Sequence, residues 1–83
     1  MNYQKTAEQV LAAVGGRNNV AANMTCMTRL RVSVSDHRKV DVPTLKKIDS
    51  VLGVVDSDTV QIVFGPGTVN KVGMEFSKLT GLA

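Results

Sequence analysis

Cys26 is the only cysteine in 83 residues, and two of the ten Lys/Arg residues, Arg29 and Arg31, follow within five positions. A thiol is a useful nucleophile only as the thiolate, a form that nearby positive charge favours. Arginine stays charged at any relevant pH and offers a planar fork of donors matched to phosphate or carboxylate oxygens. The segment Cys26-Met27-Thr28-Arg29-Leu30-Arg31 therefore points to phosphoryl or acyl chemistry on sulfur.

The elements that hold these residues can be read from periodicity. Thr28 to Ser35 reads as a strand in which Leu30, Val32 and Val34 face a core. Arg29, Arg31, Ser33 and Ser35 then share the solvated face, with the two arginines roughly 7 Å apart along the strand. Cys26 is expected just before that strand, in a loop whose free backbone N–H groups would add donors for an anion.

Eighty-three residues suit a single domain, expected to span 1–83. Chains this short bury only about 60% of their unfolded surface, so the core must be small. One cysteine makes no internal disulfide, and no apolar run reaches the ~18 residues of a bilayer span. These features predict a soluble, cytoplasmic chain without a signal peptide. The formal charge is a mild +3, and the aromatic residues are Tyr3, Phe64 and Phe76. So few stacking platforms argue against single-stranded nucleic acid as a partner, whereas the charge suits an acidic surface or a phosphorylated group.

Ala7, Val10, Leu11 and Val14 form one helical stripe, with Thr6 and Gln9 as a capping box and Gly15-Gly16 as the stop. Val20 to Thr25 alternates weakly and is assigned as a short strand leading to Cys26, with an irregular segment as the alternative. Asp36-His37-Arg38-Lys39 reads as a polar turn, and its histidine as a surface residue. A second helix is expected over Val40 to Leu52, capped by Asp41 or Val42, with Leu45, Ile48 and Leu52 buried. Val54-Val55 and Thr59 to Phe64 are strands joined through Asp56-Ser57-Asp58. Gly65-Pro66-Gly67-Thr68 leads into a third helix whose stripe is Val69, Val72, Phe76 and Leu79, closed by Gly81. Gly73 inside it marks close packing or is simply tolerated.

This order predicts an α+β fold: a four-stranded, mainly antiparallel sheet with three helices packed on one face and the other face open. No metal is expected, because one cysteine and one histidine cannot make a structural zinc site. Cofactors are expected to be none. A cysteine phosphatase signature, Cys-x5-Arg, requires arginine where Val32 stands. Gly65 to Lys71 fails as a phosphate loop and as a dinucleotide motif, since Asn70 replaces the required glycine. A cysteine protease would need a paired histidine, and His37 sits in a charged turn.

The hexapeptide Cys26-Met27-Thr28-Arg29-Leu30-Arg31 resembles the phosphorylation motif of the glucose-type IIB domain of the bacterial phosphoenolpyruvate-dependent sugar phosphotransferase system. Gly15-Gly16-Arg17-Asn18-Asn19-Val20 is similar to that family's Gly-Gly-x-x-Asn-Ile turn. Val42 to Val55 resembles its second helix and following strand, and Gln61-Ile62-Val63-Phe64-Gly65 its last strand.

The resemblance implies the same sheet-and-helix architecture and a phosphocysteine intermediate. Cys26 would accept phosphate from a phosphohistidine on a IIA phosphocarrier and pass it to a sugar bound by the membrane IIC permease, placing the domain at the inner face of the membrane. Arg29 and Arg31 would hand the phosphate to sugar, and Thr28 would support the phosphate by a hydrogen bond or serve only as a strand former. Asn23 departs from the family's apolar position before the cysteine, which predicts a shorter or differently packed strand. Met27 and Val63-Phe64-Gly65-Pro66-Gly67 resemble members that take amino sugars such as N-acetylmuramic acid; glucose, sucrose, trehalose and β-glucosides stay open. The competing class is a non-enzymatic phosphate- or RNA-binding α/β module using Arg29 and Arg31 on the open sheet face.

Overall fold

Helix α1 (Tyr3–Ala13) starts because the Asn2 side chain accepts a hydrogen bond from the Lys5 N–H at 3.0 Å. The computed structural model describes residues 2–82. The capping box expected at Thr6 and Gln9 is thus one turn too late: Thr6 is buried inside the helix, its hydroxyl donating to the Asn2 carbonyl at 3.1 Å. Ala7, Val10 and Val14 are fully buried and Leu11 partly so. Gly15 and Gly16 then reverse the chain with φ of 109° and 87°, values that suit residues without a Cβ. Asn19 locks the reversal. Its Nδ2 donates to the carbonyls of Val14 and Asp36, and its Oδ1 accepts from the Asp36 N–H.

Strands β1 (Val20–Cys26) and β2 (Arg29–Val34) form a hairpin through the two residues Met27 and Thr28. The segment expected as strand or irregular is therefore strand, and it extends through the cysteine. Strands β3 (Gly53–Asp56) and β4 (Val60–Val63) form a second hairpin. The sheet order is β1-β2-β4-β3, with every neighbouring pair antiparallel, so β2 and β4 are the inner strands. Leu30, Val32, Val60 and Ile62 turn to the helical side and are fully buried with Phe64, Val69, Val72 and Phe76.

Helix α2 (Val42–Lys47) is capped by Asp41, whose carboxylate accepts from the Thr44 N–H and hydroxyl. It is much shorter than the expected Val40 to Leu52. The backbone turns extended at Ile48, with ψ of 132°, and Leu52 is 73% exposed instead of buried. Sheet pairing overrides the helical spacing there, because the Leu52 N–H donates to the Val63 carbonyl at 2.8 Å. Helix α3 (Thr68–Thr80) follows the expected stripe and ends on Gly81 in a left-handed conformation. It packs on α1 and on the sheet at β1 and β2, while α2 covers β3.

Gly73 resolves in favour of close packing: a Cβ added there would collide with Cγ2 of Thr25 on β1. Asn23 is packed differently from an apolar residue, and the strand is not shortened. Its side chain is buried, donates to Ser77 Oγ at 2.9 Å and accepts from the Thr80 hydroxyl at 2.8 Å. The amide thus ties β1 to α3 with both its polar ends satisfied.

Candidate functional site

The β1–β2 hairpin sets the site. Cys26 is the last residue of β1 and stands directly opposite Arg29, the first residue of β2; Met24 stands opposite Arg31. Residues that face each other across an antiparallel pair project to the same side of the sheet. Cys26, Arg29, Met24 and Arg31 therefore share one face, opposite to that of Leu30 and Val32. On the other flank of β2, Arg29 is paired with Val63 and Arg31 with Gln61, which adds those two residues to the same outward face.

This corrects the expected placement in two respects. Cys26 lies in a strand and not in a preceding loop, and β2 begins at Arg29, not Thr28. Both differences come from the tight turn. Met27 adopts a φ of 58°, which breaks the strand alternation, and the residue is 89% exposed. The Thr28 carbonyl still accepts from the Phe64 N–H at 2.7 Å, fastening the turn to the segment after β4. Among the described residues the N–H groups of Met27 and Thr28 meet no backbone acceptor. Free donors thus follow the cysteine, although in a two-residue turn after it and not in a loop that holds it. Ser35 lies just beyond the end of β2.

The thiol of Cys26 is free and half-buried. Arg29 is exposed, and its Nη1 donates to Gln61 Oε1 at 2.6 Å. Arg31 is half-buried; its Nε is shielded from solvent and has no acceptor among the described residues. The ion pairs among the described residues are His37–Asp56, Arg38–Asp36 and Lys78–Glu75, none of which involves the two hairpin arginines. Two guanidinium groups without an ion-pair partner among the described residues therefore share one face of the sheet with one thiol. Such a pair of guanidinium groups offers donors to an anionic group brought to this face.

Protonation changes elsewhere are remote from this face. A hydrogen bond from the Arg38 side chain holds the Asp36 carboxyl below its usual range, and the Thr44 hydroxyl does the same for Asp41. These residues follow the far end of β2 and precede α2. His37, expected at the surface, has an exposed side chain and meets Asp56 at 3.2 Å. Among the described residues no three His, Cys, Asp or Glu side chains are grouped as metal ligands would be.

Grooves on the molecule run between β1 and α3, lined by Thr25, Asn70 and Met74, and between α1 and α2, lined by Gln9, Thr44 and Ile48. Cys26 lines neither. A shallow depression of about 150 Å³ beside Arg31 includes Met24, Ser33 and Thr59. The thiol is thus presented on an open face, a geometry that suits contact with another macromolecule better than engulfing a small molecule. Gln61, to which the sequence pattern gave no role, turns out to touch Arg29. The polar residue in an otherwise apolar β4 run was the available signal, and the β2–β4 register was needed to interpret it.

Residues 8–41 match the family model for the phosphotransferase system, EIIB. The PTS system MurNAc-GlcNAc-specific EIIBC component of Staphylococcus aureus, in strains USA300 and NCTC 8325 / PS 47, is 48% identical over 79 residues. That similarity covers 95% of this chain, which spans 16% of the length of those curated relatives. A crystal structure of one domain of the PTS system IIabc component from Clostridium difficile aligns with a TM-score of 0.86 at 37% identity, covering 93% of this chain and 81% of that one.

Proposed function

Because the chain belongs to the EIIB family of the phosphotransferase system, we propose that residues 1–83 act as one phosphocarrier domain in which Cys26 carries the phosphoryl group. In the first step Cys26 Sγ, as the thiolate, forms an S–P bond while the N–P bond of a phosphohistidine on a IIA partner breaks, the electron pair remaining on the imidazole nitrogen. In the second step a sugar hydroxyl oxygen attacks the phosphorus. The S–P bond breaks, its electrons return to Sγ, and the hydroxyl proton passes to a base outside this chain.

The supporting observation is Cys26 placed opposite Arg29 on an open face that also carries Arg31, with no carboxylate among the described residues paired to either guanidinium. Two positive charges match the dianion of a phosphocysteine and the charge that spreads over the equatorial oxygens during in-line transfer. The free N–H of Thr28, or its hydroxyl, would add a hydrogen bond to the phosphoryl group. No helix among the described residues is long and apolar enough to cross a membrane. The sugar is assigned to a membrane IIC component, as the EIIBC name of the S. aureus relatives suggests, with the domain working at the inner membrane face. The amino-sugar specificity named for the S. aureus relatives is the one we carry to this chain's IIC partner.

Incubation with phosphoenolpyruvate, the general phosphotransferase proteins and a cognate IIA should add one phosphate to the chain, located at Cys26 by mass spectrometry. Cys26→Ser should remain unmodified; equal phosphorylation of that variant contradicts the assignment. Arg29→Lys should still accept phosphate and lose about tenfold or more in transfer to sugar, since an ammonium cannot reproduce the bidentate fork.

A further inference from the structure

Gln61 makes the only side-chain hydrogen bond to Arg29 or Arg31 among the described residues, accepting from Arg29 Nη1 at 2.6 Å. Its place in the sheet makes this contact well anchored. β4 is paired on both sides, so Gln61 is fixed by ladders to Arg31 on β2 and Val55 on β3. Its side chain is half-buried, while Arg29 is exposed at the very start of β2 and would otherwise sample many rotamers.

The direction of the contact matters. β1 is an edge strand, so Cys26 is open on the side away from β2. A guanidinium bonded to Gln61 lies over the β2–β4 side, beside Arg31, leaving the edge of the sheet clear for an incoming or departing group. The chemistry of the acceptor matters as well. An amide oxygen orients a guanidinium without cancelling its charge, and the remaining N–H groups stay available to phosphate oxygens. A carboxylate of the same shape would form an ion pair and compete with the phosphate for the same fork.

We propose that Gln61 is a positioning residue: it holds the Arg29 guanidinium on the inner-strand side of Cys26, next to Arg31, and by being neutral leaves both charges for the phosphoryl group. This role rests on the phosphocysteine reading given above.

The two substitutions Gln61→Ala and Gln61→Glu separate positioning from a structural role. Phosphate acceptance from a phosphorylated IIA and transfer to sugar would be followed with membranes carrying the IIC component, together with thermal unfolding. Arg29 side-chain nitrogen-15 spectra of the unphosphorylated chain would report guanidinium rotation. Gln61→Ala should free that rotation and lower kcat for sugar transfer about tenfold, with a smaller change in KM. Gln61→Glu should keep rotation slow, keep the unfolding temperature near wild type, and lower kcat further, by about a hundredfold.

A structural role gives the opposite order, because glutamate satisfies the same contact. Sugar transfer by Gln61→Glu equal to or better than that of Gln61→Ala, or wild-type transfer by Gln61→Ala, overturns the proposal. Absence of phosphate on the wild-type chain removes the phosphocarrier reading and this role with it. A phosphorylated wild type with unimpaired Gln61 variants removes the role of Gln61 alone.

Discussion

Replacing Gly73 by alanine tests the packing of α3 against the strand that carries the thiol. On helix propensity alone the change is favourable by up to about 1 kcal/mol. The structure opposes it, because the new methyl would collide with Cγ2 of Thr25, one residue before Cys26, at a position already buried. Thr25 is β-branched and sits in a strand, so its χ1 cannot relax freely, and overpacking of this kind costs about 1–3 kcal/mol. The two effects leave a net destabilisation of about 1 kcal/mol, equivalent to a drop of roughly 4–8 °C in Tm for a domain of this size.

The sign should reverse once the obstructing methyl is gone. With Thr25→Ser, the nearest atom of residue 25 to the new Cβ is the Thr25 Cβ position at 3.7 Å, an ordinary contact. Gly73→Ala in that background should stabilise by up to about 1 kcal/mol. Urea denaturation of wild type, both single variants and the double variant gives the coupling directly, expected at about 1–3 kcal/mol. A Gly73→Ala chain more stable than wild type, or an equal effect of the alanine in both backgrounds, would refute the steric account.

Two further outcomes are expected from elsewhere in the fold. Ser50 has a φ of 75°, and its hydroxyl is buried without a partner among the described residues; Ser50→Gly should therefore stabilise by up to about 1 kcal/mol in denaturant melts, net of the glycine's extra unfolded-state freedom. Asp41 and Asp36 have folded pKa values below the ordinary 3.8, through hydrogen bonds from Thr44 and Arg38 respectively. Their contribution is fully present above that value and is lost as pH falls through the lowered folded value. Acid titration followed by amide exchange in α2 should show protection falling below about pH 4, with a weaker response in Asp41→Asn; protection that rises on acidification counts against the cap.

The periodicities that read correctly share a physical basis. Leu30 and Val32 alternate with Arg29 and Arg31 because one side of β2 meets a core and the other meets water, and Val69, Val72 and Phe76 recur at helical spacing for the same reason. Where a second solution was available, spacing misled. Leu52 fits the stripe of a helix through Leu45 and Ile48, yet its N–H is claimed by Val63 on the sheet. Thr6 and Gln9 fit a capping box, yet Asn2 caps the helix one turn earlier. Met27 carries a left-handed φ that nothing in its residue type announces, so the end of β1 could not be set from composition.

Residue order alone established a thiol followed by two guanidinium groups, and strand alternation put those two groups on one face, since both properties are covalent or local. Which residues stand opposite them depends on register between segments far apart in the chain. The pairing of Cys26 with Arg29 needed the tight turn, the contact of Arg29 with Gln61 joins positions 32 residues apart, and the hydrogen bonds that make Asn23 a good core residue reach 54 and 57 residues along. Such partners are chosen by the packing of the whole sheet against its helices, where burial of Leu30, Val32, Val60 and Ile62 leaves one register favourable.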